Sequence, residues 1–271
     1  MNQGEKVKNL GYMGAILGDI VGSRFEFHNR KSKEFTMFHR KSVFTDDTVL
    51  TLAIMDVLNS GNLDEENIIR TLQNWAKSYP AAGYGARFKQ WIYERDPEPY
   101  NSFGNGAAMR ISPVAWYAQS EEELEDLVLR FTTITHNHIE GIRGAMVTAK
   151  AVYMAKNGSS KEEIKEMIQK NYNIDFNYDE LVRDYLFTES CQETVPQALY
   201  CFLISNSLED CLRTAVSIGG DSDTIAAIAC SVGAAYYDDG YVILDESREF
   251  LEELKEVTEK FEQTLLNKLG E

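Results

Sequence analysis

Little in this chain is built for oxidation, membranes or polyanions. The four cysteines, Cys191, Cys201, Cys211 and Cys230, form no C-x-x-C pair, and each lies in or beside an apolar helical pattern. Buried free thiols in a reducing compartment are therefore expected, not disulfides or a zinc site. The longest apolar runs fall well short of a membrane span, and the opening stretch MNQGEKVKNLGY lacks the apolar core of a signal peptide. A cytoplasmic protein is expected. Basic residues are also scarce: 27 Lys and Arg stand against 43 Asp and Glu, a net charge of -16. That balance argues against a broad nucleic-acid surface, though a local cation can reverse the sign of a single cleft and admit an anionic ligand. The four histidines form no H-E-x-x-H, and there is no Gly/Ser-rich linker, repeat or low-complexity tract. Strand-like alternation is rare, with residues 241–244 the best and a weak case.

What the chain has in quantity is helix signal. Residues 13–21 carry Gly14 and Gly18, with Gly22 next at the same spacing of four, a smooth face for close helix contact. Residues 63–79 are amphipathic, and Ser120 with Glu123, then Ser160 with Glu163, read as capping boxes. A small-residue helix runs up to Gly158, and Pro196 suits the first turn of QALYCFLIS. Residues 208–218 and 246–269 read as two further helices. Three stretches, 23–45, 94–106 and 171–194, read as long loops. With 271 residues and 44% hydrophobic composition, one all-α domain spanning 1–271 is expected.

Two helix starts stand out. In VFTDDTVLTLAIMDVL, Asp46 and Asp47 sit side by side between Thr45 and Thr48, just where an apolar run begins. In SIGGDSDTIAAIA, Gly219 and Gly220 precede Asp221, Asp223 and Thr224 at the mouth of a small-residue helix. Asp and Thr are good caps, because they accept hydrogen bonds from the first free N–H groups and suit the helix dipole. A cap, however, needs one side chain, and each start supplies two carboxylates and a threonine. Both following helices are apolar or small enough to be buried, so four carboxylates brought together there require neutralising cations. Oxygen donors alone favour a hard cation, Mg²⁺, Mn²⁺ or Ca²⁺. The metal reading requires that the two helix mouths meet in space.

The ordered blocks GAILGDIVGSRFEF, TDDT, YGARF, SFGNGAAMRISPVAW, THNHIEGIRGA, ETVPQALYCFL and SIGGDSDTIAAIA resemble the ADP-ribosylglycohydrolases. These include the dinitrogenase reductase-activating and the ADP-ribosylserine or ADP-ribosylarginine hydrolases. The resemblance implies an all-α fold, a compact orthogonal helical bundle, with a binuclear metal site at helix N-termini below an ADP-ribose cleft. Carried over by motif, two divalent cations, Mg²⁺ or Mn²⁺, take Thr45, Asp46 and Asp47 from one mouth and Asp221, Asp223 and Thr224 from the other. Ser102, Gly104, Asn105 and Gly106 become the phosphate and ribose cradle, with Tyr100 or Phe103 available to stack on a ring. Glu26 matches a loop glutamate near the scissile bond and serves as acid, base or gate, and Asp47 is the other catalytic carboxylate. Asp19 supports the ligands by hydrogen bonds, and His136, with His138 two residues on, lies near the ligand.

Departures from the pattern are Ser222 within the G-G-D-T-D-T block, Cys230 at a position where glycine is common, and a poor match over residues 185–192. The resemblance implies a monomeric hydrolase that frees ADP-ribose from modified protein side chains; the short apolar runs argue against a membrane partner and the acidic balance against a nucleic-acid one. A hydrolase of small ADP-ribose conjugates or of ADP-ribosylated nucleic acid, and a catalytically silent ADP-ribose binder, are the alternatives.

Overall fold

The computed structural model describes residues 2–270. Sixteen α-helices follow in chain order among the described residues. The first third holds, in order, α1 (Gln3–Lys8), α2 (Gly14–Gly22), α3 (Asp46–Ser60) and α4 (Glu65–Ser78). Then come α5 (Ala86–Trp91), α6 (Gly106–Arg110), α7 (Ser112–Tyr117), α8 (Glu121–Thr133) and α9 (Ile139–Lys156). The rest are α10 (Lys161–Gln169), α11 (Tyr178–Asp184), α12 (Cys191–Ile204), α13 (Leu208–Ser217), α14 (Ser222–Tyr236), α15 (Tyr241–Arg248) and α16 (Lys255–Leu269). No β-ladder forms among these residues, and Gly104 and Ser190 make a single isolated antiparallel bridge. None of these helices is long and apolar enough to cross a membrane.

The fold is organised around α14. Every residue from Ser222 to Ala235 is buried, which suits a helix made of Ala, Ile, Ser and Gly with no charged face beyond its first turn. α2 lies against it at a separation that only glycine permits. A Cβ at Gly18 would stand 2.2 Å from the Ala226 carbonyl oxygen, and one at Gly14 2.2 Å from that of Cys230. The spacing of four in the sequence thus becomes a groove for a second backbone.

The same short helix also holds α3. Asp19, fully buried in α2, accepts the backbone N–H of Thr45 at 2.8 Å and of Thr48 at 3.0 Å, and its other oxygen accepts the Thr45 hydroxyl at 2.8 Å. One helix therefore fixes the starts of two others, by glycine contact on one side and by a carboxylate on the other. The two acidic helix mouths meet. Thr224 Oγ1 donates to Asp47 Oδ2 at 3.2 Å across that junction.

The four cysteines are buried and free, as expected. Elsewhere several elements differ from the reading of the sequence. Residues 241–244 form the first turn of α15, not a strand, because no neighbouring strand offers a ladder and the Leu244 N–H bonds the Gly240 carbonyl. The run 246–269 is not one helix. α15 ends at Arg248, and a 3₁₀ turn over Glu252–Leu254, with Glu252 at φ +40°, separates it from α16. That break turns both Leu251 and Leu254 into the core.

Pro196 sits inside α12, which begins five residues earlier at Cys191. The carbonyl that the proline leaves unbonded belongs to Gln192, an exposed first-turn residue that water can serve. The stretch 171–194 contains α11, whose start is capped by the Asn177 side chain accepting from the Glu180 N–H. Ser160 and Glu163 form a full capping box. At Ser120 only half forms, since Glu123 takes the Gln119 N–H instead.

Candidate active site

A cavity of about 350 Å³ opens above the junction of α3 and α14. Thr45, Asp46, Asp47, Asp221, Asp223 and Thr224 all line it, together with Glu26 and, from the other side, Tyr100, Ser102, Gly104, Asn105, Gly106 and His136. Residues separated by almost two hundred positions in the chain therefore share one site. Phe103 does not line it. Its ring is about half exposed on the rim and lies 5.4 Å from the ring of His138.

The acids form two overlapping triads. Asp19, Asp47 and Asp223 bring carboxylate oxygens within 4.8 Å of one another, and so do Glu26, Asp221 and Asp223. Asp19 joins a triad, but both its oxygens already accept hydrogen bonds from the start of α3, which makes it the anchor of that helix mouth. Asp46 belongs to neither triad and keeps its backbone N–H on the Ala82 carbonyl. Asp47 Oδ1 is buried without any hydrogen-bond partner, while its Oδ2 faces the hydroxyls of Thr45 and Thr224. A buried carboxylate oxygen left without a donor, among oxygen ligands only, fits a hard divalent cation.

The cradle is stitched to the opposite wall. Asn105 N–H donates to the Glu189 carbonyl at 2.7 Å, Cys191 N–H to the Phe103 carbonyl at 2.9 Å, and the Cys191 thiol to the Gly104 carbonyl at 3.1 Å. The segment 185–192, which matches the family blocks poorly, is thus a wall of the cleft. Asn105 turns its side-chain amide inward, to Asp221 Oδ2 at 2.7 Å and Thr194 Oγ1 at 3.2 Å. Its nitrogen holds an acid of the floor.

The family model of ADP-ribosylglycohydrolases matches residues 8–270. The chain belongs to that family. As an ADP-ribosylglycohydrolase it is a glycosidic-bond hydrolase, and its relatives carry related names. It is 27% identical over 302 residues to the ADP-ribosylhydrolase ARH3 of Mus musculus, covering 83% of this chain and 82% of the relative. It is 27% identical over 251 residues to the ADP-ribosyl-[dinitrogen reductase] glycohydrolase of Rhodospirillum rubrum, covering 83% and 84%. It is 24% identical over 260 residues to the ADP-ribosylarginine hydrolase Tri1 of Pseudomonas putida (strain GB-1), covering 83% and 69%. A solved structure, an ADP-ribosylglycohydrolase-related protein complex, superposes with a TM-score of 0.76 over 96% of this chain and 99% of that one. At 21% identity it establishes the shared fold.

Electrostatics single out the floor of this glycohydrolase. Burial, and then the charges of neighbouring acids, push the carboxyls of Asp46, Asp47 and Asp223 well above the ordinary aspartate range. Asp221 rises to about 6, mainly through burial, with the Asn105 hydrogen bond acting the other way. Glu26 rises to about 8, again chiefly through burial, helped by the charges of Asp223, Asp19 and Glu189. One cause underlies all five shifts. Too many like charges share a space with little water, and cations relieve that crowding.

Three charged residues that the motifs assign no role also line the cavity: Arg87, Glu189 and Arg110. Arg110 could have been suspected, being the one charge inside the apolar run AAMRISPVAW.

Proposed function

We propose that this protein removes ADP-ribose from modified protein side chains, of the arginine or serine type, by cleaving the glycosidic bond at the distal ribose. The observation that carries the reading is the meeting of two acidic helix mouths, with Asp47 Oδ1 buried and unpartnered, directly beside a glycine cradle in one cavity. Two divalent cations, Mg²⁺ or Mn²⁺, would be held by Thr45, Asp46 and Asp47 on one side and by Asp221, Asp223 and Thr224 on the other. When bound, such ions neutralise the acids, orient ribose oxygens and make a water easier to deprotonate. Asp221 and Thr224 keep their places through Asn105 and Asp47.

Glycosidic cleavage builds oxocarbenium-like charge on the ribose carbon, so nearby carboxylates stabilise it. Asp47 takes the proton of the attacking water. Glu26, half-buried at the cavity edge beside Asp221 and Asp223, gives a proton to the leaving group, so that the glycosidic bond breaks as the water oxygen bonds to the ribose carbon. The uncapped backbone N–H groups that open α6, from Gly106 onward, receive the diphosphate, and Tyr100 offers a ring face. The net charge of -16 disfavours a nucleic-acid substrate and is compatible with a monomer working in the cytoplasm.

A release assay tests the proposal. Peptides carrying ADP-ribose on arginine, serine or an acidic residue are incubated with defined Mg²⁺ or Mn²⁺, alongside a small ADP-ribose conjugate. Release from one peptide linkage, stopped by a chelator, is expected. Tight binding of free ADP-ribose with no release from any substrate would identify a silent binder instead, and release from the small conjugate alone would move the activity off proteins.

A further inference from the structure

Arg110 closes α6 and is 1% exposed, with its guanidinium 5.8 Å from the ring of Phe88. One of its terminal nitrogens, Nη2, donates to Thr135 Oγ1 at 2.8 Å. The same hydroxyl lies 2.8 Å from His136 Nδ1. Both Thr135 and His136 are buried. These three side chains form a line that ends in the cleft: His136 lines the cavity, and its Nε2 lies 3.5 Å from the point a Cβ would occupy on Gly106 and 3.8 Å from that on Gly104.

The direction of that line follows from donor counting. A guanidinium only donates, so Thr135 Oγ1 spends one lone pair on Arg110 and keeps its own proton. If His136 Nδ1 carried a proton, it would take the second lone pair and leave the threonine proton with no acceptor among the described residues. Leaving a buried donor unmet is unfavourable. If both ring nitrogens carried protons, an imidazolium would sit buried near a guanidinium. Burial, and then the Arg110 charge, hold the His136 pKa well below its ordinary value. One arrangement gives both the Thr135 hydroxyl and His136 Nδ1 a partner: threonine donates to Nδ1, and the ring proton resides on Nε2, while Arg110 Nε and Nη1 stay buried without a partner among the described residues.

We propose that Arg110 and Thr135 are positioning residues that fix His136 as its neutral Nε2–H tautomer, aimed into the glycine cradle as a hydrogen-bond donor to an oxygen of the bound diphosphate or ribose. The ligand half of this statement rests on the ADP-ribosylglycohydrolase reading above; the tautomer half belongs to the free protein. The packing serves the same end. A Cβ on Gly141 would come within 3.0 Å of the His136 Cβ and 2.6 Å of the Ser102 carbonyl oxygen, so α9 presses on the histidine from behind. The glycines at 104 and 106 leave the Nε2 side open. A charge-neutral donor reads oxygen positions, while the positive charge stays behind on Arg110.

The experiment uses the full chain labelled with ¹⁵N-histidine, with His136 assigned by comparison with His136→Gln. Imidazole ¹⁵N shifts report which nitrogen holds the proton, and titration with ADP-ribose in Mg²⁺ gives the affinity. Wild type is expected to show the Nε2–H form before any ligand is added. Thr135→Val, close in shape, should mix the tautomers and weaken ADP-ribose binding roughly tenfold, the scale of one hydrogen bond. Thr135→Ser should restore both readings, a rescue that a packing role for the methyl group would not produce. An Nδ1–H or imidazolium signature in wild type overturns the proposal. So does a folded Thr135→Val that keeps both the tautomer and the affinity. Wild type with the Nε2–H signature but no ADP-ribose binding would uphold the relay and overturn the glycohydrolase reading.

Discussion

The two acidic helix mouths look alike as sequence, T-D-D-T and D-S-D-T, yet the protein caps them differently. At the start of α3, Thr45 accepts the Asp47 N–H, and Asp19 reaches over from α2 to take two more. At the start of α14, the N-cap residue Asp221 makes no side-chain cap bond and spends an oxygen on Asn105. One mouth borrows its caps and the other goes without a side-chain cap from Asp221. Each arrangement leaves an acid, Asp46 at one mouth and Asp221 at the other, that takes no N–H of its helix start, while Asp223 takes that of Thr224. Capping therefore does not account for the paired carboxylates, and a shared positive occupant does.

The most severe test of that comparison is to delete one acid from each mouth. Asp46→Ala and Asp223→Ala should each lower turnover by on the order of 10³-fold or more, since the stabilisation lost with a cation is several kcal/mol. Because other groups cap α3, circular dichroism should still report a fully helical protein for Asp46→Ala. If either variant kept near-normal release and lost only about 1 kcal/mol of stability, the acid would be an ordinary cap after all. Glu26→Ala probes the acid that belongs to neither mouth. Removing a general acid or base costs roughly 10²–10⁴-fold, so turnover should fall by that scale while ADP-ribose still binds in a titration. An unchanged rate would make Glu26 a bystander.

A milder pair of variants sharpens the contrast between a mouth capped from α2 and one whose only side-chain acceptor, among the described residues, is its own Asp223. Asp19→Asn should weaken divalent-cation binding by roughly 10–100-fold, as loss of a ligand's supporting group does. It should also destabilise the start of α3, because two backbone N–H groups lose their charged acceptor. Asn105→Ala, its counterpart at the other mouth, should weaken cation binding without loosening α14, since Asn105 touches Asp221 and no backbone N–H of that helix. Calorimetric cation titration and a melting curve separate the two effects. Equal loss of melting temperature in both variants would erase the distinction between the mouths.

How much of this could be read before any coordinates? The smooth face of α2 was legible, because glycine every fourth residue has few other uses, and Gly18 does meet a backbone at a distance no side chain allows. The acids were legible as types and as a pattern. What one-dimensional reading could not supply was direction. Asn105 belongs to a cradle motif yet turns its amide under the floor, and Phe103 sits between two cavity residues yet faces outward. Arg110 carries no legible task within its motif, since its partner Thr135 lies 25 positions away and the link exists only once α6 and the end of α8 are side by side. Helix boundaries failed where tertiary packing outvoted local signals, as at Pro196 and in the broken run before α16.

The smallest expected effect is thermodynamic, and its sign comes from the crowded acids. In the unfolded chain these carboxyls titrate near their ordinary values, about pH 4. In the fold Asp221 lies at about 6 and Glu26 at about 8, with Asp46, Asp47 and Asp223 also raised. Between about pH 4 and 8 the folded state therefore holds more protons than the unfolded one. Stability then falls with rising pH: it is fully present below the unfolded pKa and is lost as pH passes through the folded values. With a chelator present, the melting temperature should decline from pH 5 to pH 8. A divalent cation competes with those same protons, so its binding tightens over the same interval. Saturating Mg²⁺ or Mn²⁺ should raise the melting temperature little at pH 5 and by roughly 5 °C at pH 8, the shift that a ligand at about a hundred times its Kd gives a protein of this size. Asp47→Asn and Asp223→Asn, one from each mouth, should each flatten the chelated curve, because each removes one of the mutually repelling charges. A metal-induced shift that is the same at pH 5 and pH 8 would mean the cation binds somewhere other than between the two mouths.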